Sequence, residues 1–94
     1  MNIIWDEAKN DRLIATRGIS FQEIAELILH KEYQAILEHK SRPGQMIFIV
    51  PFNGYTHVVP FVIDRDQNIV LKTAFPSRKF HKLYGAQSDE KEPG

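Results

Sequence analysis

The chain has no cysteine, which excludes disulfides, thiolate nucleophiles and cysteine-ligated metals. That composition suits a reducing compartment, and a cytoplasmic location is the expectation. No apolar run approaches the roughly 20 residues that a membrane span needs, so no membrane association is predicted. The opening Asn2-Ile3-Ile4-Trp5-Asp6 lacks a basic start followed by a long apolar block, so no signal peptide is expected. There is no glycine-rich phosphate loop. No two histidines stand at ligand spacing on one predicted element, and Asp64 and Asp66 share a turn without further carboxylates. Neither a metal nor a cofactor is therefore predicted. Repeats, linkers and low-complexity blocks are also missing. Net charge is zero, with 12 basic and 12 acidic side chains, which argues against a general nucleic-acid binder.

What is present is enough for one small core: 94 residues, 43% of them hydrophobic. The charges are unevenly spread. Residues 1–40 hold five Lys/Arg against seven Asp/Glu, residues 41–85 hold six against two, and residues 86–94 hold one against three. The region after residue 40 is thus the basic part, which either marks an anion site there or is uneven scatter in a short chain. Residues 1–85 read as a single domain. Residues 86–94 are polar, charged and end in Pro-Gly, and are expected to be disordered.

Ile3-Ile4-Trp5 reads as a short strand or apolar entry. Asp6 caps a helix over Glu7–Thr16 that Gly18 stops, with Ala8, Leu13, Ile14 and Ala15 as inward candidates. Ser20-Phe21-Gln22-Glu23 is a capping box, and Phe21, Ile24, Ala25 and Ile28 form one apolar stripe on the helix it opens. That helix should end near His30 or Lys31. Tyr33–Glu38 is expected to be a strand, and Ser41-Arg42-Pro43-Gly44 a turn. Gln45–Phe52 is β-branched and aromatic, and is too short for a helix between Pro43 and Pro51. Asn53-Gly54 then predicts a type I′ hairpin into a strand over Tyr55–Ile63. Pro60 removes a ladder donor inside that strand and predicts a bulge or an edge. After a turn at 64–68, Ile69–Phe75 reads as the last strand, ending at Pro76. Phe80, Leu83 and Tyr84 allow a short helix from Ser77 to Gly85. Two N-terminal helices followed by a three- or four-stranded antiparallel meander and a short C-terminal helix read as α+β, with the helices on one sheet face.

The Asn53-Gly54 turn pairs Val50 with His57 and sets Tyr55, His57, Val59, Phe61 and Ile63 on one face. If the next turn pairs Asp64 with Ile69, Phe61 faces Lys72, and Lys72 joins His57 and Tyr55 on that face; a one-residue change in the turn reverses this. Tyr55, His57 and Lys72, with Arg78, Lys79, His81, Lys82 and Tyr84 beyond, are the residue types that metal-free RNA cleavage needs. The 2′-hydroxyl attacks its own phosphate with help from a proton acceptor, a proton donor and cations on the developing charge. Arginine and lysine hold phosphate, histidine moves protons near neutral pH and tyrosine stacks on bases. The plainer reading stands beside this. A histidine in a strand is more often a hydrogen-bonded packing residue, His81 between lysines a solvated one, and the tyrosines packing residues. His30 and His39, near the ends of a helix and a strand, carry little expectation of function.

Two stretches taken together resemble the BrnT toxins of bacterial type II toxin–antitoxin systems. These are Ile4-Trp5-Asp6-Glu7-Ala8-Lys9-Asn10 and Arg17-Gly18-Ile19-Ser20-Phe21-Gln22-Glu23, with Leu71-Lys72-Thr73-Ala74-Phe75-Pro76-Ser77-Arg78-Lys79 in the place of that family's closing strand and Ser-Ala-Arg-like run. The resemblance covers roughly residues 3–84. It implies a RelE-like fold, a ribonuclease that inhibits translation, and a cognate antitoxin covering the active face. That antitoxin would be a ribbon-helix-helix DNA-binding protein, so that DNA is reached only through it. Arg78 matches the family's arginine after the last strand. Arg17 stands where the family has histidine, and Lys72-Thr73 and Pro76 also depart from its pattern.

The expectation is an mRNA-cleaving endoribonuclease toxin. His57, Lys72 and Arg78 would be catalytic, and Tyr55, Lys79, His81, Lys82 and Tyr84 would bind RNA. The alternative is a non-catalytic module that binds RNA or an acidic protein through the same basic residues.

Overall fold

A computed structural model describes residues 2–85; the expectation of a disordered tail at 86–94 lies outside them. The chain runs β1 (Ile3–Ile4), α1 (Glu7–Arg17), α2 (Phe21–Leu29), β2 (Ala35–Glu38), β3 (Met46–Phe52), β4 (Tyr55–Ile63), β5 (Ile69–Leu71), β6 (Phe75–Pro76) and α3 (Arg78–Phe80), which continues as one π-helical turn over His81–Gly85. The Asp6 carboxylate caps α1 by accepting from the amides of Ala8 and Lys9, and Gly18 closes it at φ 67°. Ser20 caps α2 by accepting from the Glu23 amide. The Glu23 carboxylate reaches back to the Ser20 hydroxyl at 3.3 Å. Asn10 Oδ1 accepts from the Phe21 amide at 2.8 Å, so α1 also helps to start α2.

The sheet order is β1-β5-β4-β3-β2, with β6 paired to β4 beyond β5. The four-stranded antiparallel meander is present, and β1 adds a parallel edge beside β5 that the meander alone did not include. Asn53 and Gly54 both have positive φ, 54° and 76°, as a type I′ turn requires. Val50 therefore pairs with His57.

Helices α1 and α2 cover one sheet face. Leu13, Ile19, Phe21, Ile24 and Ile28 pack there against Phe48, Val50, Phe52, Val59, Phe61 and Leu71. Phe48 and Phe61 stack at 4.3 Å, and fully burying one such side chain contributes about 1.5–3 kcal/mol. On α1 only Leu13 is buried; Ala8, Ile14 and Ala15, expected to point inward, are exposed because α1 touches the sheet along a narrow line. The opposite face carries Ile47, Ile49 and Val58, packed against Ala35, Leu37, Phe75, Phe80 and Tyr84. The C-terminal segment covers part of this face and leaves the rest as a groove.

Two corrections concern the stretch after β4. The expected single strand Ile69–Phe75 is two short strands, because Leu71 faces Phe61 while Phe75 faces Val58. Lys72, Thr73 and Ala74 thus oppose only Val59 and Pro60. Pro60 has no N–H to give, and its carbonyl accepts from the Lys72 amide at 2.9 Å. The bulge expected at Pro60 lies on the partner strand. The second correction is the register. Ile63, not Asp64, pairs with Ile69, so Leu71 takes the place expected for Lys72.

Candidate functional site

The register settles which polar residues meet. Lys72 falls opposite Pro60 and lines the open groove, whereas His57 and Tyr55 lie in the row that faces the helices. The expected triad of Tyr55, His57 and Lys72 on one face does not form. His57 is only 6% exposed, donates its Nδ1–H to the Tyr55 carbonyl at 3.0 Å and meets Phe52 edge-on. It is a packing histidine, not a group that can reach a substrate in the groove.

His81, expected to bind RNA, is a clamp. Its ring stacks on Tyr55 with centroids 4.0 Å apart. Its Nδ1 accepts from the Thr56 amide at 3.3 Å and lies 3.0 Å from Thr56 Oγ1. Tyr84 is likewise structural: it packs on the open-face cluster, and its carbonyl accepts from Gln34 Nε2 at 3.2 Å. Tyr55 and Tyr84 therefore help to hold the C-terminal segment against the sheet. Lys82 and Arg78 are exposed and do not line the groove; Lys79 does.

The groove itself has a volume of about 660 Å³. Its floor is apolar, made of Leu37, Ile47, Val58, Pro60 and Phe75, and Phe80 and Leu83 form a wall. Its charged lining is almost wholly cationic, with His39, Gln45, Thr73 and Ser77 as the neutral polar groups. Lys9 comes from α1, Lys40 and Arg42 from the β2–β3 loop, Lys72 from the bulge and Lys79 from α3. Among the described residues Glu38 is the one carboxylate residue in the lining, and the β2 alternation turns its side chain toward the other face. Ser77 accepts from the Phe80 amide at 3.2 Å and so fixes the start of α3, where Lys79 stands. Lys79 Nζ lies 5.4 Å from the centre of the Phe80 ring.

His39 is the imidazole of this groove, and residue-type reasoning passed it over. It continues the row Ala35, Leu37, His39, and its amide donates to the Gln45 carbonyl at 2.9 Å, extending the ladder by one pair. The Ser41 amide donates to His39 Nδ1 at 3.1 Å. In the neutral ring the proton therefore sits on Nε2, which leaves a donor at the far edge. The period-2 alternation of β2 was the signal that could have placed this side chain. Lys9, Lys40 and Arg42 were missed for a different reason: they converge from a helix and a loop distant in sequence.

An apolar floor ringed by five cations and one imidazole donor can seat the flat faces of bases and hold phosphates at its rim. Among the described residues, no group of three or more His, Asp or Glu side chains is placed to hold a metal ion. No helix among them is long and apolar enough to cross a membrane.

No family model matches the chain, and no curated protein matches it in sequence. Among solved structures it is similar to the ribonuclease toxin BrnT of Brucella abortus. The two are 22% identical with a TM-score of 0.63, over 82% of this chain and 96% of that one. The chain has a BrnT-like α+β fold.

Proposed function

We propose that this protein is a ribonuclease toxin that cleaves mRNA and stops translation, and that the open-face groove is where RNA binds and reacts. The observation that carries this reading is the groove's lining, in which Lys9, Lys40, Arg42, Lys72 and Lys79 surround an apolar floor with His39 at one end. The BrnT-like fold supports it. In the reaction, the 2′-oxygen bonds to phosphorus as the bond from phosphorus to the 5′-oxygen breaks. A 2′,3′-cyclic phosphate and a 5′-hydroxyl result. The 2′-hydroxyl gives its proton to water in the open groove, and a lysine ammonium supplies one to the departing 5′-oxygen. Lys72, Lys79 and the His39 Nε2–H meet the charge that gathers on the phosphoryl oxygens. Apart from the water that takes the 2′ proton, side chains supply these roles, without a metal or cofactor.

Arg78 and Lys82, exposed beside the groove, make rim contacts with the strand. The partner we infer is a cognate antitoxin of the DNA-binding ribbon-helix-helix kind that covers the groove, and the pair acts in the cytoplasm.

Induction in bacteria should arrest growth and shorten mRNAs, and Lys72→Ala with Lys79→Ala should relieve both. Normal growth with intact mRNA on induction of the wild-type chain sinks the proposal. One observation favours a second reading, a non-catalytic RNA-binding module: among the described residues Glu38 is the one carboxylate residue in the groove's lining, and the β2 alternation turns its side chain toward the other face. Such a module would bind RNA with the same groove and show no turnover at any protein concentration.

A further inference from the structure

Outside the groove, a second depression of about 290 Å³ lies between α1 and the bulge that joins β5 to β6. Lys9, Arg12 and Arg17 line it from α1 and its C-terminal end, and Lys72 and Thr73 line it from the bulge. Among the described residues, no carboxylate residue is in its lining. Its remaining walls are the buried Leu13 and Phe21, so it is a shaped hollow on the core and not a scatter of surface charges. Arg12 and Arg17 are exposed; Lys72 and Thr73 are half-buried. Four like charges around one small hollow repel one another, and an anion relieves that repulsion.

Lys9, Lys72 and Thr73 line this hollow and the groove alike. The bulge is what puts them there: the extra residue opposite Val59 and Pro60 holds Lys72 on the open face and brings Ala74 back into the core. The two hollows therefore meet at a cationic saddle. We propose that the α1 hollow is a second phosphate subsite, which carries a single-stranded RNA out of the groove, over Lys9 and Lys72, to Arg12 and Arg17. The inference rests on the groove's being the RNA site. Guanidinium forks suit phosphate better than ammonium groups do, and here they stand at the far end of the track, where grip rather than chemistry is needed.

The test uses the full chain and 2′-O-methyl oligoribonucleotides, which lack the nucleophile and cannot be cleaved. Affinity is read by fluorescence anisotropy for strands of two to eight nucleotides across a salt series. For the wild type, affinity rises with length. In Arg12→Gln/Arg17→Gln the eight-nucleotide strand binds about tenfold or more weakly. Its salt slope falls by about 1.4, which is about 0.7 for each phosphate no longer neutralised. Arg12→Lys/Arg17→Lys keeps both charges and restores the slope. In Lys40→Gln/Lys79→Gln, which alters only the groove, short and long strands both weaken. The subsite is overturned, with the groove reading intact, if Arg12→Gln/Arg17→Gln keeps the wild-type length dependence and slope, or if the lysine pair fails to restore the slope. An oligoglutamate of equal length that displaces the eight-nucleotide strand at equal concentration overturns it in favour of an acidic protein partner. If the wild type binds no strand of any length, the groove reading falls and the subsite with it.

Discussion

His57 and His39 put the same ring to opposite uses. His57 is sealed between the sheet and the helices, and its Nδ1–H is spent on the Tyr55 carbonyl. His39 lines the groove, with its Nδ1 taken by the Ser41 amide. The two substitutions should therefore separate stability from activity. His57→Ala removes a buried hydrogen bond and opens a cavity, so chemical denaturation should show a loss of about 1–3 kcal/mol while RNA affinity of the folded fraction stays the same. His39→Ala should leave stability within about 0.5 kcal/mol and slow cleavage by about 10²-fold. Among the cations, Lys79→Ala should weaken RNA binding more than Arg78→Ala, since only the former lines the groove. Similar losses at both positions would move the working surface from the groove to its rim.

At the scale of elements, α3 is a short helix with a specific task. Its cap, Ser77, the His81–Tyr55 stack, the hydrogen bonds from Thr56 and Gln34, and the packing of Phe80 and Tyr84 together fix this segment on the sheet. Ser77→Ala should cost about 1 kcal/mol and raise the dissociation constant for RNA, because Lys79 loses its fixed place. Thermal melting and RNA titration of the same variant check the two halves of that statement. Most of the elements were legible in the sequence because their signals are local. Ser20 to Glu23, the Asn53-Gly54 turn and the effect of Pro60 each act within a few residues. The groove was not legible, because it depends on one register. Asp64 Oδ1 accepts from the amides of Asp66 and Asn68, both at 2.9 Å, and Gln67 takes φ 65°. The turn thus closes on itself between Asp64 and Asn68, one residue tighter than a pairing of Asp64 with Ile69. Since side chains alternate, that one-residue shift exchanged Leu71 for Lys72 and separated Lys72 from His57. A glycine at position 67 would have announced the left-handed residue; glutamine hid it.

The whole molecule has two different sides despite its zero net charge. Seven of its 12 Lys/Arg residues line the groove or the adjoining hollow, whereas Glu23 and Glu26 lie on α2 across the sheet. Net charge is therefore a poor guide to where this molecule could hold an anion, and the local arrangement is the better one. Binding should weaken steeply with salt, with a slope of log affinity against log salt of roughly −2 to −4 for three to five phosphate contacts on a single strand. A flat salt response would mean that these cations do not meet phosphates.

The central claim is that the groove cleaves RNA with its own side chains. The most direct measurement incubates the purified chain with a single-stranded RNA in the presence of a chelator and identifies the product ends. Wild-type protein should yield 2′,3′-cyclic phosphate and 5′-hydroxyl ends, and Lys72→Ala/Lys79→Ala should lower the rate by about 10²-fold or more. Intact RNA after prolonged incubation with wild-type protein, or cleavage that the double variant leaves at the same rate, would contradict it.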